Sequence, residues 1–206
     1  MTIINVGNHR VRHGDIMEGI DSLMEGQQAD FIYSDPPWGQ GNITYWQTMN
    51  VKMNNADRSA IDYNEFINTY FSIISKYAKD KVVLEYGIKW EEDIKKMSMN
   101  YGFKHNGSVI CYYKSGSKLL PCHIHFLSKA STIQLSSEFI QRCTELEDLK
   151  LVKYVFDYLN APQSGICLDP MCGMGFTAQA SKDRGMTFYG NELNRKRLEK
   201  TIDRLR

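Results

Sequence analysis

The sequence predicts an α/β fold in one domain, a mostly parallel sheet with helices packed on it, and three observations carry the prediction. The chain has 206 residues, enough to bury one sizeable core and short for two. Apolar runs such as Phe31-Ile32-Tyr33, Val82-Val83-Leu84 and Ile166-Cys167-Leu168 read as buried strands ending near proline or glycine. Between them lie stretches with apolar residues at helical spacing, the clearest being Phe66, Ile67, Tyr70, Phe71, Ile74 and Tyr77.

Taken in order, Thr2 to Val6 and Val11 to His13 are β-type runs around Gly7-Asn8 and read as a hairpin. Asp15 with Glu18 three residues on resembles a capping box for a helix carrying Ile16, Ile20 and Leu23. Ala29 to Ser34 is a strand. Residues 39–64 show little periodicity and are expected to form a long loop that contacts substrate, in which Tyr45, Trp46, Lys52 and Arg58 suit base stacking and phosphate contact. Asp62 and Glu65 open the next helix, and Lys81 to Gly87 is a buried strand. Lys89 to Asn100 is a helix with Gly102 past its end. Ser108 to Lys114 and Cys122 to Lys129, separated by Ser115-Gly116-Ser117, read as an antiparallel pair at the sheet edge. Helices follow over Ser136 to Cys143 and Glu145 to Leu159, broken by Ala161-Pro162, and then strand Gly165 to Leu168, a helix, and strand Thr187 to Gly190.

Composition narrows the function classes. A net charge of +1 excludes a grossly basic nucleic-acid binder and leaves Lys114 to Lys129 and Arg195-Lys196-Arg197 as candidate local patches. No apolar run spans a bilayer, and Met1 to Asn5 lacks the look of a signal peptide, so a cytoplasmic location without membrane contact is expected. The five cysteines are odd in number and scattered, which points to reduced thiols. Cys122, His123 and His125 come nearest to a ligand cluster, but adjacent strand residues face opposite ways, and no metal site is assigned.

Two motifs carry chemistry. The first is Asp35-Pro36-Pro37-Trp38, at the carboxyl end of a strand, where α/β proteins place their sites. Asp35 offers acceptors and no donor, and Trp38 offers a flat π face. The set suits a planar ring bearing an NH2 group, with acceptors drawing the amino hydrogens while the indole stacks on the ring. The second runs from Asp169 through Pro170, Met171, Cys172, Gly173, Gly175 and Phe176 to Thr177. Its glycines admit close approach of a ligand to the backbone. Asp169 suits a cationic amine. Asn191-Glu192 stands at the tip of the next strand, and Glu192 follows Gly175 by 17 residues, near the spacing of about 20 at which such folds put an acid on ribose hydroxyls. The loop lacks the Gly-Lys-Ser/Thr ending of a phosphate loop, which favours a cofactor with ribose and an amino acid but no phosphate.

Both motifs resemble those of S-adenosylmethionine-dependent amino-methyltransferases, whose patterns are Asp/Asn-Pro-Pro-aromatic and Asp-Pro-Phe-x-Gly-x-Gly-Thr. Here Met171 replaces the usual phenylalanine and Phe176 precedes Thr177. The catalytic motif precedes the cofactor motif by roughly 130 residues, an order that resembles the circularly permuted, beta-type members. The resemblance implies a Rossmann-like class I methyltransferase fold with a seven-stranded sheet, helices on both faces and one antiparallel strand near the edge. It also implies S-adenosylmethionine as cofactor, Gly14-Asp15 at the cofactor-adenine position, and N6 methylation of adenine in DNA, with Asp35, Pro36, Pro37 and Trp38 as catalytic residues. No separate target-recognition domain is visible, and beta-type relatives are often homodimers. RNA adenine methylation, methylation of another amino group such as that of cytosine or of a protein glutamine side chain, and a non-catalytic cofactor-binding scaffold are the alternatives. A carbon-5 cytosine mechanism would need a nucleophile such as Cys122 after Pro121, and leaves Asp35 to Trp38 without a role.

Overall fold

A computed structural model describes residues 2–54 and 61–206. Its centre is an eight-stranded sheet in the order β1-β2-β8-β7-β3-β4-β6-β5. The strands are β1 Thr2–Val6, β2 His9–His13, β3 Phe31–Ser34, β4 Val82–Tyr86, β5 Lys104–Ser115, β6 Lys118–Ser128, β7 Ile166–Asp169 and β8 Thr187–Glu192. The five strands from β2 to β4 in that order pair in parallel, while β1 pairs β2, β6 pairs β4 and β5 pairs β6 antiparallel. The expected mostly parallel sheet is present, with eight strands in place of seven. Its antiparallel part is larger than one strand because the N-terminal hairpin also joins the sheet through β2 and β8.

The helices are α1 Asp21–Met24, α2 Gly39–Asn54, α3 Tyr63–Tyr77, α4 Glu91–Asn100, α5 Ser137–Cys143, α6 Asp148–Tyr158, α7 Phe176–Asp183 and α8 Arg195–Leu205. Alternation along β3 sorts the core. Ile32 joins the α3 residues Phe66, Tyr70, Phe71 and Ile74, whereas Phe31 and Tyr33 join Phe139 of α5 and Leu151, Val155 and Phe156 of α6. All four residues of β3 are buried, as a strand covered on both faces must be. Cys122 packs with the α6 layer, while His123 faces Glu91 of α4, so the two point to opposite faces as expected.

Two local expectations are corrected. Residues 39–54 form α2 instead of the front half of a loop. The remainder of the expected loop lies partly outside the described residues, together with Arg58 and the side chain of Lys52. The Asp15–Glu18 pair does not make a capping box. Asp15 caps a single 3-10 turn over Ile16–Glu18 by accepting from the Met17 amide, while Glu18 pairs with Arg12 at 3.0 Å. That buried arginine claims the acid that the box would have used.

The basic segments are largely engaged. Lys114 pairs with Glu147, Lys129 donates to the Ser75 and Ala78 carbonyls, and Arg195 pairs with Glu199. Among the described residues, no helix is long and apolar enough to cross a membrane.

Candidate active site

The parallel strands all point their carboxyl ends to one edge, and the loops leaving them line a cavity of about 730 Å³. Asp15 follows β2, Asp35 to Trp38 follow β3, Asp169 closes β7 and leads into the glycine loop, and Glu192 closes β8. Trp38 and Gly173, distant in sequence, share this cavity because β3 and β7 are parallel neighbours, with Phe31 opposite Cys167 and Ile32 opposite Leu168.

Asp35 looks into the cavity, open to solvent there and walled by protein elsewhere. Its Oδ1 accepts the indole N–H of Trp38 at 3.0 Å. Burial pushes the Asp35 carboxyl well above the usual range, and the negative charge of Glu85 adds to this; the Trp38 N–H pulls the other way. Trp38 is held on edge against Tyr113, ring centroids 5.0 Å apart, and its indole lies near Tyr86. The Tyr86 hydroxyl donates to the Pro37 carbonyl at 3.1 Å, which fixes the double-proline turn from the neighbouring strand.

The cofactor-type half is built from β7, β8 and α8. The Glu192 carboxylate accepts from the Gly173 amide at 2.9 Å and from the Asn194 amide at 2.6 Å, so the acid shapes the glycine loop as well as facing the cavity. Asp169 accepts from the Met171 amide at 3.1 Å, and burial pushes its carboxyl up to about 7.

The two glycines differ. Gly173 has φ +48°, and a β-carbon there would meet nothing nearer than the Met171 carbonyl at 3.9 Å, so it borders open space. Gly175, at φ +79°, would drive a β-carbon to 2.8 Å from Thr201 of α8. Gly175 thus lets α8 pack on the loop, and both glycines line the cavity.

Met171, Cys172, Phe176 and Thr177 line the cavity with the glycines, and Phe176 carries the Arg204 guanidinium over its ring at 4.7 Å. Pro170 turns its carbonyl to the Asn191 side-chain amide at 3.1 Å, and the Asn191 oxygen accepts from the fully buried Arg12 at 2.6 Å. Asn191 thus ties the loop after β7 to β2. Gly14 makes room for Arg12, since a β-carbon at Gly14 would lie 2.5 Å from the guanidinium carbon.

Several cavity residues were not singled out from the sequence, among them Glu85, Tyr33 and Tyr113, whereas the hairpin tip at Lys114 to Gly116 opens a predicted basic patch. The Tyr33 hydroxyl donates to Glu85 at 2.6 Å. Glu85 carried a readable signal, a lone acid near the end of an apolar run, as Asp35 and Asp169 do. Arg197, within a predicted basic patch, faces the same cavity and stacks its guanidinium 3.7 Å from the Trp46 ring centre, joining α8 to α2.

No family model and no curated protein matches the chain. Solved structures do. M1.HpyAVI in complex with SAM superposes with a TM-score of 0.70 at 14% identity, covering 95% of this chain and 98% of that one. TTHA0409 of Thermus thermophilus, described as a candidate DNA modification methylase and solved with S-adenosyl-L-methionine, gives 0.65 at 15% identity over 96% and 93%. The cytosine-N4-specific PvuII DNA methyltransferase gives 0.63 at 13% identity over 97% and 87%. At these identities the likeness shows a shared fold.

Proposed function

We propose that this protein methylates an exocyclic amino group in DNA with S-adenosylmethionine, and that the group is the N6 amine of adenine. The single observation that carries the reading is the meeting of two separately recognisable loops on one cavity: Asp35 beside the Trp38 indole, and the open backbone at Gly173, line the same space. The shared fold with M1.HpyAVI and PvuII DNA methyltransferase supports it.

The residues fit such a cofactor. Open space at Gly173 admits a ligand against the backbone, Glu192 stands at ribose distance along the chain, and buried Asp169 favours a cationic amine that would let it ionise. Bound there, the cofactor supplies a sulfonium methyl as electrophile. The protein does the rest by orientation. Asp35 and the Pro36 carbonyl accept the amino hydrogens, which raises electron density on the nitrogen, and Trp38 holds the ring plane, a contact typically worth ~1–3 kcal/mol. A base in duplex DNA would have to leave its stack, costing a few kcal/mol. Cytosine presents the same pairing of an amino group with a ring nitrogen, and the fold shared with the N4-specific PvuII enzyme makes cytosine N4 the second reading.

The test is incubation with methyl-labelled S-adenosylmethionine and a panel of single- and double-stranded DNA and RNA oligonucleotides, followed by nucleoside analysis. Label in N6-methyladenine from DNA, abolished by Asp35→Ala with cofactor binding retained, is expected. Label only in N4-methylcytosine or only in RNA would overturn the adenine-DNA assignment. Cofactor binding without transfer to any oligonucleotide would overturn the enzymatic reading.

A further inference from the structure

Strand register gathers a second cluster beneath the catalytic edge. Cys111 of β5 stands opposite Cys122 of β6, and Ile124 of β6 stands opposite Glu85 of β4. Partners across a sheet, and residues two apart along a strand, share a face, so Glu85, Cys111 and Cys122 project together toward the α6 layer. The two sulfurs are 3.1 Å apart, and with a Glu85 carboxylate oxygen they all lie within 4.8 Å of one another. Both cysteines are fully buried, while Glu85 also borders the cavity.

We propose that Glu85, Cys111 and Cys122 form a binding site for one thiophilic divalent cation of the zinc class. Three ligand atoms from three adjacent strands converge, and two thiolates with one carboxylate select zinc-like ions over magnesium or calcium. With metal–sulfur bonds of about 2.3 Å in a tetrahedron, the sulfurs would sit roughly 3.8 Å apart, a modest opening of the present pair. The fourth position is left to a ligand on the cavity side, where Glu85 emerges. Loading conserves charge: the cation replaces one proton on each thiol, both protons leave to solvent, and the Glu85 carboxylate joins as it stands. The cation would clamp β4, β5 and β6 together two residues from Tyr113, which holds the Trp38 indole on edge.

The probe is Co2+ added to the reduced full-length protein without oxygen. One equivalent should bind with tetrahedral visible absorption and a thiolate-to-cobalt charge-transfer band, and Zn2+ should bleach both. The charge-transfer band should vanish in the Cys111→Ser, Cys122→Ser double variant and persist in Cys167→Ser, a buried thiol on β7. Glu85→Gln should weaken binding at least about 10-fold. Wild-type protein needs no variant to fold, so absence of the band in the reduced wild type would overturn the proposal. So would a band that survives loss of both cysteines, or an air-exposed chain two hydrogens lighter that on reduction still takes up no cobalt, which would make the pair a disulfide. The readout does not pass through methyl transfer, so its failure and that of the proposed function are separable.

Discussion

Replacing each glycine of the loop after β7 by alanine should give two opposite phenotypes. At Gly175 the new β-carbon meets Thr201 Cα and Oγ1 at 2.8 Å, and φ is +79°. Left-handed backbone costs a non-glycine residue about 1–2 kcal/mol, and overpacking against helix backbone adds about 1–3 kcal/mol, for a total near 2–5 kcal/mol. For a chain of this size each kcal/mol moves the midpoint by about 2–4 °C, so Tm should fall by roughly 4–20 °C. At Gly173 only the conformational cost applies, about 1–2 kcal/mol, since the β-carbon meets open space. That space is where the cofactor is proposed to lie, so Gly173→Ala should bind S-adenosylmethionine weakly while folding nearly as well as wild type. Thermal unfolding and isothermal titration calorimetry on both variants, measured below the lower Tm, separate the effects. A Gly175→Ala protein as stable as wild type would refute the packing argument. A Gly173→Ala protein with wild-type cofactor affinity would refute the placement of the ligand.

Three further outcomes follow from the same geometry. Burial holds the Asp169 carboxyl at about 7 in the folded protein, above its ordinary value, so the folded state keeps a proton that the unfolded chain releases. Stability of the unliganded protein should therefore fall as pH rises from about 4 to about 7, and Asp169→Asn should lose that slope in urea unfolding series. By the same charge, cofactor affinity should rise as pH passes upward through about 7 in wild type and stay flat in the variant. Trp38→Phe keeps a ring but removes the N–H that favours the charged form of Asp35, so the acidic limb of the kcat–pH profile should move to higher pH. Asn191→Leu leaves the buried Arg12 guanidinium without its 2.6 Å acceptor and should cost about 2–4 kcal/mol in denaturant unfolding.

Much of this architecture could be read in the chain because strand and helix periods are strong where burial is two-sided or one-sided. The α3 stripe from Phe66 to Tyr77 and the buried β3 run are the clearest cases. The site was legible for a related reason: polar residues at the ends of apolar runs had to meet at one edge once the strands were parallel. Helix α2 was not legible. Its Gly-Gln-Gly-Asn start and scattered Asn and Thr lack an apolar stripe, and it is held by particular contacts such as buried Ile43 and the Trp46–Arg197 stack. Arg12 was hidden too, since nothing in His9-Arg10-Val11-Arg12-His13 tells which arginine is enclosed; the answer depends on Asn191, far along the chain. The juxtaposition of Cys111, Cys122 and Glu85 required the register of three strands, which spacing alone does not reveal.

The strand order has a consequence for how the molecule is made. Residues 166–192 supply β7 and β8, the two ribbons that lie between the β1–β2 hairpin and the β3-β4-β6-β5 block. Until they emerge from the ribosome, those two pieces have no hydrogen-bonded seam joining them, and both β2 and β3 present naked edges. Synthesis thus leaves a long interval in which the nascent polypeptide can pair wrongly with its neighbours, and closure arrives late and all at once. Such a protein should depend on holdase chaperones more than a design of equal size whose sheet grows outward in sequence.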